Sequence, residues 1–325
     1  MLLRVGSTLV AVALSVGMLQ APATATKAAP SFKKASTGAS ITSYQWLTKN
    51  KRAFDFSVRS KRLGSTQKVR VLLPKGWTYK TKRTWPVVYL MHGGQDHYVS
   101  WTRSTRIEQL AAKWKVIVVM PEGANGSYTN WFNGGRGGIP EWETFHMTEV
   151  YQLMARNFHA GKNRAIMGNS SGGQGAMTYA ARYPRRFKYA ASFSGILSLL
   201  SPGVPTALAY VNQTNGLPDA IYGDSVDDHA NWAAHDPWSL ARRLRGTGVY
   251  FSSGTGAPNP LNAGLFSEYV VGMTNGDFKD RLNALKIKYK SHIYAGGRHS
   301  WGYWWRELGN AWPAAMKAIK AGKSR

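Results

Sequence analysis

The chain of 325 residues contains no cysteine. Disulfides, thiolate metal sites and a cysteine nucleophile are therefore excluded. Acidic residues are scarce: 16 Asp and Glu stand against 42 Lys and Arg, a formal net charge of +26. Beyond the first eighteen residues no apolar run is long enough to cross a bilayer. There is no internal repeat, no His-x-x-x-His or other metal-ligand spacing, and no recognisable nucleic-acid-binding motif. Gly134-Gly135-Arg136-Gly137-Gly138 is glycine-rich but lacks the P-loop pattern, so it reads as a surface loop. The basic excess suits solubility and loose attraction to anionic wall polymers or lipid headgroups better than specific nucleic-acid binding.

What is present begins with the N-terminus. Arg4, the apolar stretch from Val5 to Met18 and Ala23-Thr24-Ala25 have the three-part layout of a secretory signal, so residues 1–25 read as a signal peptide; an uncleaved anchor is the alternative. Residues 26–42 are small, polar and basic and read as a flexible linker. Residues 43–325 are enough for one large domain. The expected location is secreted, extracellular or in the cell envelope.

In that domain, Ala53–Arg59 and Gln67–Leu73 alternate like strands, while Pro86–Met91 and Val116–Met120 are continuous apolar runs typical of strands buried on both faces. Further strands are expected before Ser170, at Tyr189–Phe193, Val249–Ser252 and Ile287–Tyr294. Helical spacing appears at Thr105–Trp114, Glu143–Phe158, around Leu282 and Leu285, and at Trp301–Ile319. The alternation predicts an α/β fold with a mostly parallel central sheet flanked by helices in a single domain. In such sheets a site forms at the carboxyl ends of the strands.

Gly168-Asn169-Ser170-Ser171-Gly172 joins one predicted strand to a predicted helix of small residues. Strand, Gly-x-Ser-x-Gly, helix is the nucleophile elbow of the α/β-hydrolase fold, which exposes the serine Oγ on a sharp turn. A serine hydroxyl needs a base, and the base needs an orienting acid, in the chain order Ser, acid, His. Of the histidines after Ser170, His292 lies inside a predicted strand, and His229 and His235 come too early. His299 follows a strand end and two glycines and is the expected base. Glu268 is the first carboxylate beyond the Val249–Ser252 strand; Asp277 and Asp280 are the alternatives, and Asp236 reads as a helix cap before Pro237. The oxyanion hole is expected from the N–H groups of Ser171 and Gly94, the latter in His92-Gly93-Gly94. This chemistry needs neither cofactor nor metal.

At these residues the chain resembles the esterase family that contains the secreted mycolyltransferases of mycobacteria, the antigen 85 complex. The likeness is carried by Val88-Tyr89-Leu90-Met91 with its following turn, Val119-Met120-Pro121, Trp142-Glu143-Thr144-Phe145 and His299-Ser300-Trp301-Gly302-Tyr303-Trp304. Glu268, with Asn275 and Phe278 downstream, carries a weaker likeness. The resemblance implies Ser170 as nucleophile, Glu268 as acid and His299 as base. The mycolyltransferases carry an aspartate and, three residues on, an arginine that help hold trehalose; here those positions are His92 and Gln95.

These residues predict a serine acyl-ester hydrolase or acyltransferase working through an acyl-enzyme. The alternatives are transfer of acyl chains to trehalose or a lipid acceptor, and a surface protein that binds anionic polymers or host matrix. The partners expected are an acyl ester and a glycolipid or sugar acceptor. His92, Gln95 and Trp301 are the expected substrate contacts; Trp101, Trp131 and Trp232 fall in presumed loops around the site. Ser198 to Gly216 reads as a lid or an ordinary helical insertion.

Overall fold

The computed structural model describes residues 31–213 and 219–324. The signal-peptide reading and the first residues of the linker lie outside them. From Phe32 onward the chain forms one compact unit.

Its centre is a sheet of nine strands: β1 (Ser40–Trp46), β2 (Ala53–Ser60), β3 (Ser65–Leu72), β4 (Trp85–Met91), β5 (Ile117–Pro121), β6 (Ala160–Asn169), β7 (Tyr189–Phe193), β8 (Gly248–Gly254) and β9 (Lys290–Tyr294). Their order is β1-β2-β3-β5-β4-β6-β7-β8-β9. The first three strands pair antiparallel, and β3 pairs antiparallel with β5. From β5 to β9 every neighbouring pair is parallel. The central parallel strands β4 and β5 are the continuous apolar runs of the sequence because both of their faces are covered. Along β4, Val87, Tyr89 and Met91 face a layer that includes the elbow helix (Ser171–Arg182) and Phe145, while Val88 and Leu90 face the C-terminal helix (Trp301–Ala318) through Leu308, Trp312 and Met316. Alternate residues thus serve two cores.

Of the linker expected over residues 26–42, the described part from Phe32 onward is packed against the domain. Phe32 packs its ring, tilted, 5.8 Å from Tyr44 and 5.7 Å from Phe158. Lys33 N donates to Asn157 Oδ1 at 2.7 Å, and Thr37 Oγ1 donates to Glu149 Oε1 at 2.7 Å. Residues from Ser40 then open β1, the edge strand. One aromatic anchor and an edge to pair with hold a segment whose composition could not form a core alone.

Trp142–Asn157 is one helical run with a π-helical stretch at Phe145–Val150. The segment proposed as a lid contains a helix at Val204–Gln213; residues 214–216 lie outside the described set. As expected, Asp236 caps the short helix that opens at Pro237, accepting from Trp238 N and Ser239 N.

Candidate active site

Strand β6 delivers Ser170 to the carboxyl edge of the sheet. The residue has φ 52° and ψ −129°, the strained backbone expected of an elbow. Its N–H donates to Phe193 O at 2.8 Å, and its carbonyl accepts from Gly173 N and Gln174 N, which starts the elbow helix. The turn closes only because residue 172 lacks a side chain: a Cβ there would fall 2.4 Å from His92 O and 2.6 Å from Met91 O.

His299 lies in the loop after β9. Its Nε2 is 2.8 Å from Ser170 Oγ, and its Nδ1 is 2.9 Å from Glu268 Oε2. Glu268 is fully buried and sits in the first half of a long helix, Ala263–Ala284, that follows the loop after β8. Its other oxygen, Oε1, accepts from Ser194 Oγ at 2.8 Å and from Gly254 N at 2.6 Å. The structure therefore brings Ser170, Glu268 and His299 together in one hydrogen-bonded relay. The two alternative acids are elsewhere: Asp277 and Asp280, on the far half of the same helix, line a separate recess of about 580 Å³ with His229 and Trp238. His292 bonds Glu307 through Nδ1 at 3.0 Å, and His235 is buried against Asn231 O.

The loop after β4 packs against the elbow. A Cβ added to Gly93 would lie 3.1 Å from that of Ser170, and one added to Gly94 would lie 3.8 Å from Ser171 Oγ. A second loop, after β5, holds this one in place. Glu122 Oε1 lies 3.2 Å from His92 Nε2 and accepts from Ala124 N at 2.9 Å, while its Oε2 accepts from Tyr98 N at 3.2 Å. Asn125 Oδ1 accepts from Gln95 N at 2.7 Å. Burial alone would raise the Glu122 carboxyl, but the His92 ring and the N–H groups of Ala124 and Tyr98 outweigh it and bring the pKa down to about 2. Behind Glu122, the π-helical stretch aims His146 inward: Nε2 bonds Glu122 O at 2.8 Å and Nδ1 meets Tyr179 OH at 3.0 Å. Burial pushes this imidazole down to about 4.

Three expected substrate contacts fare differently. His92 is 1% exposed, so its ring is part of the loop's internal scaffold and cannot meet a substrate. The sequence gives its residue type but not its burial. Gln95 is exposed. Trp301 is partly buried, edge-on to Trp101 at 5.0 Å and Trp304 at 5.2 Å, and Trp304 in turn meets the His299 ring at 5.0 Å. Trp101 and Trp232 are core residues rather than loop aromatics, each bonding a carbonyl through Nε1. Trp131 packs partly buried against the cluster of Leu199, Ile221, Tyr222 and Trp232. Ser194 and Glu122 had no sequence motif to announce them.

The Esterase family model matches residues 60–314. The chain belongs to this family. Esterase MT1326 of Mycobacterium tuberculosis is 32% identical over 260 residues, which cover 76% of this chain and 55% of that protein; the chain thus spans about half the length of that relative. Diacylglycerol acyltransferase/mycolyltransferase Ag85B of Mycolicibacterium smegmatis is 31% identical over 240 residues, 68% of this chain and 73% of that protein. Among solved structures, Mycobacterium tuberculosis MPT51 (FbpC1) superposes with a TM-score of 0.67 at 25% identity, covering 85% of this chain and 99% of that one. An S-formylglutathione hydrolase from Agrobacterium tumefaciens shares the fold at a TM-score of 0.67 and 18% identity, covering 86% and 99%. The esterase and antigen 85 resemblance read from the motifs is therefore correct, as is the α/β fold. The relatives carry the names of esterases and of acyltransferases.

Proposed function

We propose that this member of the Esterase family is a carboxylic-ester hydrolase with Ser170 as nucleophile, His299 as general base and Glu268 as the acid that orients it. The observation that carries the reading is the pair of hydrogen bonds on one imidazole, 2.8 Å to Ser170 Oγ and 2.9 Å to Glu268 Oε2. Ser170 attacks the ester carbonyl while His299 Nε2 takes its proton. The tetrahedral oxyanion is held by the N–H groups of Gly94 and Ser171, then collapses with His299 protonating the leaving alcohol. Water, deprotonated by the same imidazole, releases the acid and restores Ser170.

Hydrolysis is favoured over transfer to trehalose by the loop after β4. The position that is an aspartate in the mycolyltransferases is a histidine here, and it is buried beneath the loop. Secretion through cleavage after Ala25 belongs to the same proposal. Among the described residues no helix is long and apolar enough to cross a membrane.

The test is incubation of the protein and its Ser170→Ala variant with a long-chain acyl ester, with and without trehalose, and resolution of products by mass. Free acid from the wild type alone, unchanged by trehalose, is expected. Acyl-trehalose as main product would replace hydrolysis by transfer. Turnover by a clean Ser170→Ala protein would remove the mechanism altogether.

A further inference from the structure

In the segments that flank the six parallel strands, charge is sorted along the strand axis. The segments that lead into or open the six parallel strands, residues 80–83, 113–115, 162–164, 185–188, 242–245 and 286–290, carry sixteen Lys or Arg and no Asp or Glu. The segments that leave the other ends, residues 92–99, 122–141, 194–236, 255–268 and 295–299, carry nine of the acids and only Arg136 and Arg298 as cations. All sixteen cations except Lys115, Arg164 and Arg186 are exposed. Among the described residues the arginines in ion pairs with carboxylates are Arg62, Arg70, Arg103, Arg182 and Arg306, none of which belongs to the sixteen.

Six neighbouring strands at about 4.8 Å each make this cationic edge roughly 24 Å long. It lies about 26 Å from Ser170, the length of the eight residues of extended chain from Lys162. We propose that this edge is a docking surface for a linear phosphodiester polymer, which leaves the active-site mouth facing away from the polymer. Guanidinium and ammonium groups repeated at strand spacing match a chain that carries one phosphate every few ångströms.

A lipid surface fits less well. A membrane-docking face needs large apolar side chains that can enter the bilayer. Away from the cationic edge, the exposed ones among the described residues are Ile139, Tyr210, Val211, Val226, Leu261 and Phe266, which lie in segments leaving the opposite ends of the strands, and Met273 on the helix Ala263–Ala284. Near the cationic edge only Leu47 and Tyr79 are exposed, at 40% and 43%. That also leaves no row of aromatic faces on which nucleic-acid bases could stack. The inference does not rest on the hydrolase reading.

The test measures binding of end-labelled poly(glycerol phosphate) by fluorescence anisotropy at 50 and 300 mM NaCl. Two variants remove the same net charge: Lys82→Gln, Lys162→Gln, Lys188→Gln and Lys286→Gln together on the cationic edge, and Arg59→Gln, Lys61→Gln, Lys68→Gln and Arg136→Gln together near the mouth. Four lost phosphate contacts predict roughly 100-fold weaker binding for the first at 50 mM salt, against less than about 5-fold for the second. Hydrogen exchange of the wild-type protein should show protection at residues 185–188 and 242–245 when polymer is added, and Ser170→Ala should bind as the wild type does. Equal losses in the two variants would mean that net charge alone is at work. Tighter binding to vesicles of three parts phosphatidylcholine and one part phosphatidylglycerol, or to a 20-nucleotide single-stranded DNA, would also overturn the proposal.

Discussion

Replacing Glu268 by glutamine tests the relay at its most constrained point. The side chain keeps its shape, so the outcome depends on which end of the amide takes which position. Gly254 N can only donate, and it lies 2.6 Å from Oε1. The amide oxygen must therefore occupy the Oε1 position, where it also keeps the bond from Ser194. That fixes the NH₂ group at the Oε2 position, 2.9 Å from His299 Nδ1. An NH₂ facing Nδ1 forces that nitrogen to accept, which moves the ring proton to Nε2. Nε2 then points an N–H at Ser170 Oγ and cannot take its proton. A misplaced tautomer of this kind costs about 10⁴ in turnover, or about 5.5 kcal/mol in the barrier. The assay is cleavage of p-nitrophenyl butyrate: kcat should fall by that order with KM nearly unchanged, and the ¹⁵N resonances of His299 should report the Nε2–H tautomer. A kcat within tenfold of the wild type, with the variant folded, would refute the reasoning.

Gly93→Ala puts a methyl group 2.9 Å from Asn169 Nδ2 and 3.1 Å from Ser170 Cβ, so the loop after β4 must withdraw; kcat for the same ester should fall about 10- to 100-fold while the melting temperature moves little. Asp236→Ala removes a fully buried cap that also accepts from Leu199 N at 2.8 Å, and should cost about 2–3 kcal/mol, read as a loss of several degrees by calorimetry. Acid should destabilise the fold in two overlapping steps. His146 binds a proton in the unfolded chain from about pH 6.5 but in the folded one only near 4, so stability is full above that window and falls through it by about 3 kcal/mol. Glu122, ordinarily near 4.5 and held at about 2, adds a similar loss between those values. Urea midpoints from pH 7 to 2 measure both, and His146→Phe should remove the first step.

The centre of the parallel half was legible because a strand buried on both faces has to be apolar throughout, and β4 and β5 are. The relay was legible for a different reason: an elbow glycine pattern and a histidine after a strand end are local in sequence. β1 was not, because an edge strand such as Ser40–Trp46 buries one face only partly and its residues follow a segment of linker-like composition. Long-range partners escaped as well. Ser194 meets Glu268 across 74 residues and Glu122 meets His92 across 30, and neither pair leaves a spacing to read. His92 shows the limit most clearly, since its place in the loop suggested contact with a ligand and only packing reveals that its ring is turned inward.

The placement of Glu268 on a helix carries one more consequence. The excursion at residues 255–262 joins β8 to that helix, and Leu261 near its end is 98% exposed. The carboxylate is positioned by Gly254 on one side and by the helix on the other, so the tip of the excursion supports nothing in the relay. Under the proposed function, substitution at that tip should leave the hydrogen bonds among Ser170, His299 and Glu268 as they are. The shape of this loop and the geometry of the relay are thus separable traits in this protein, open to change one at a time.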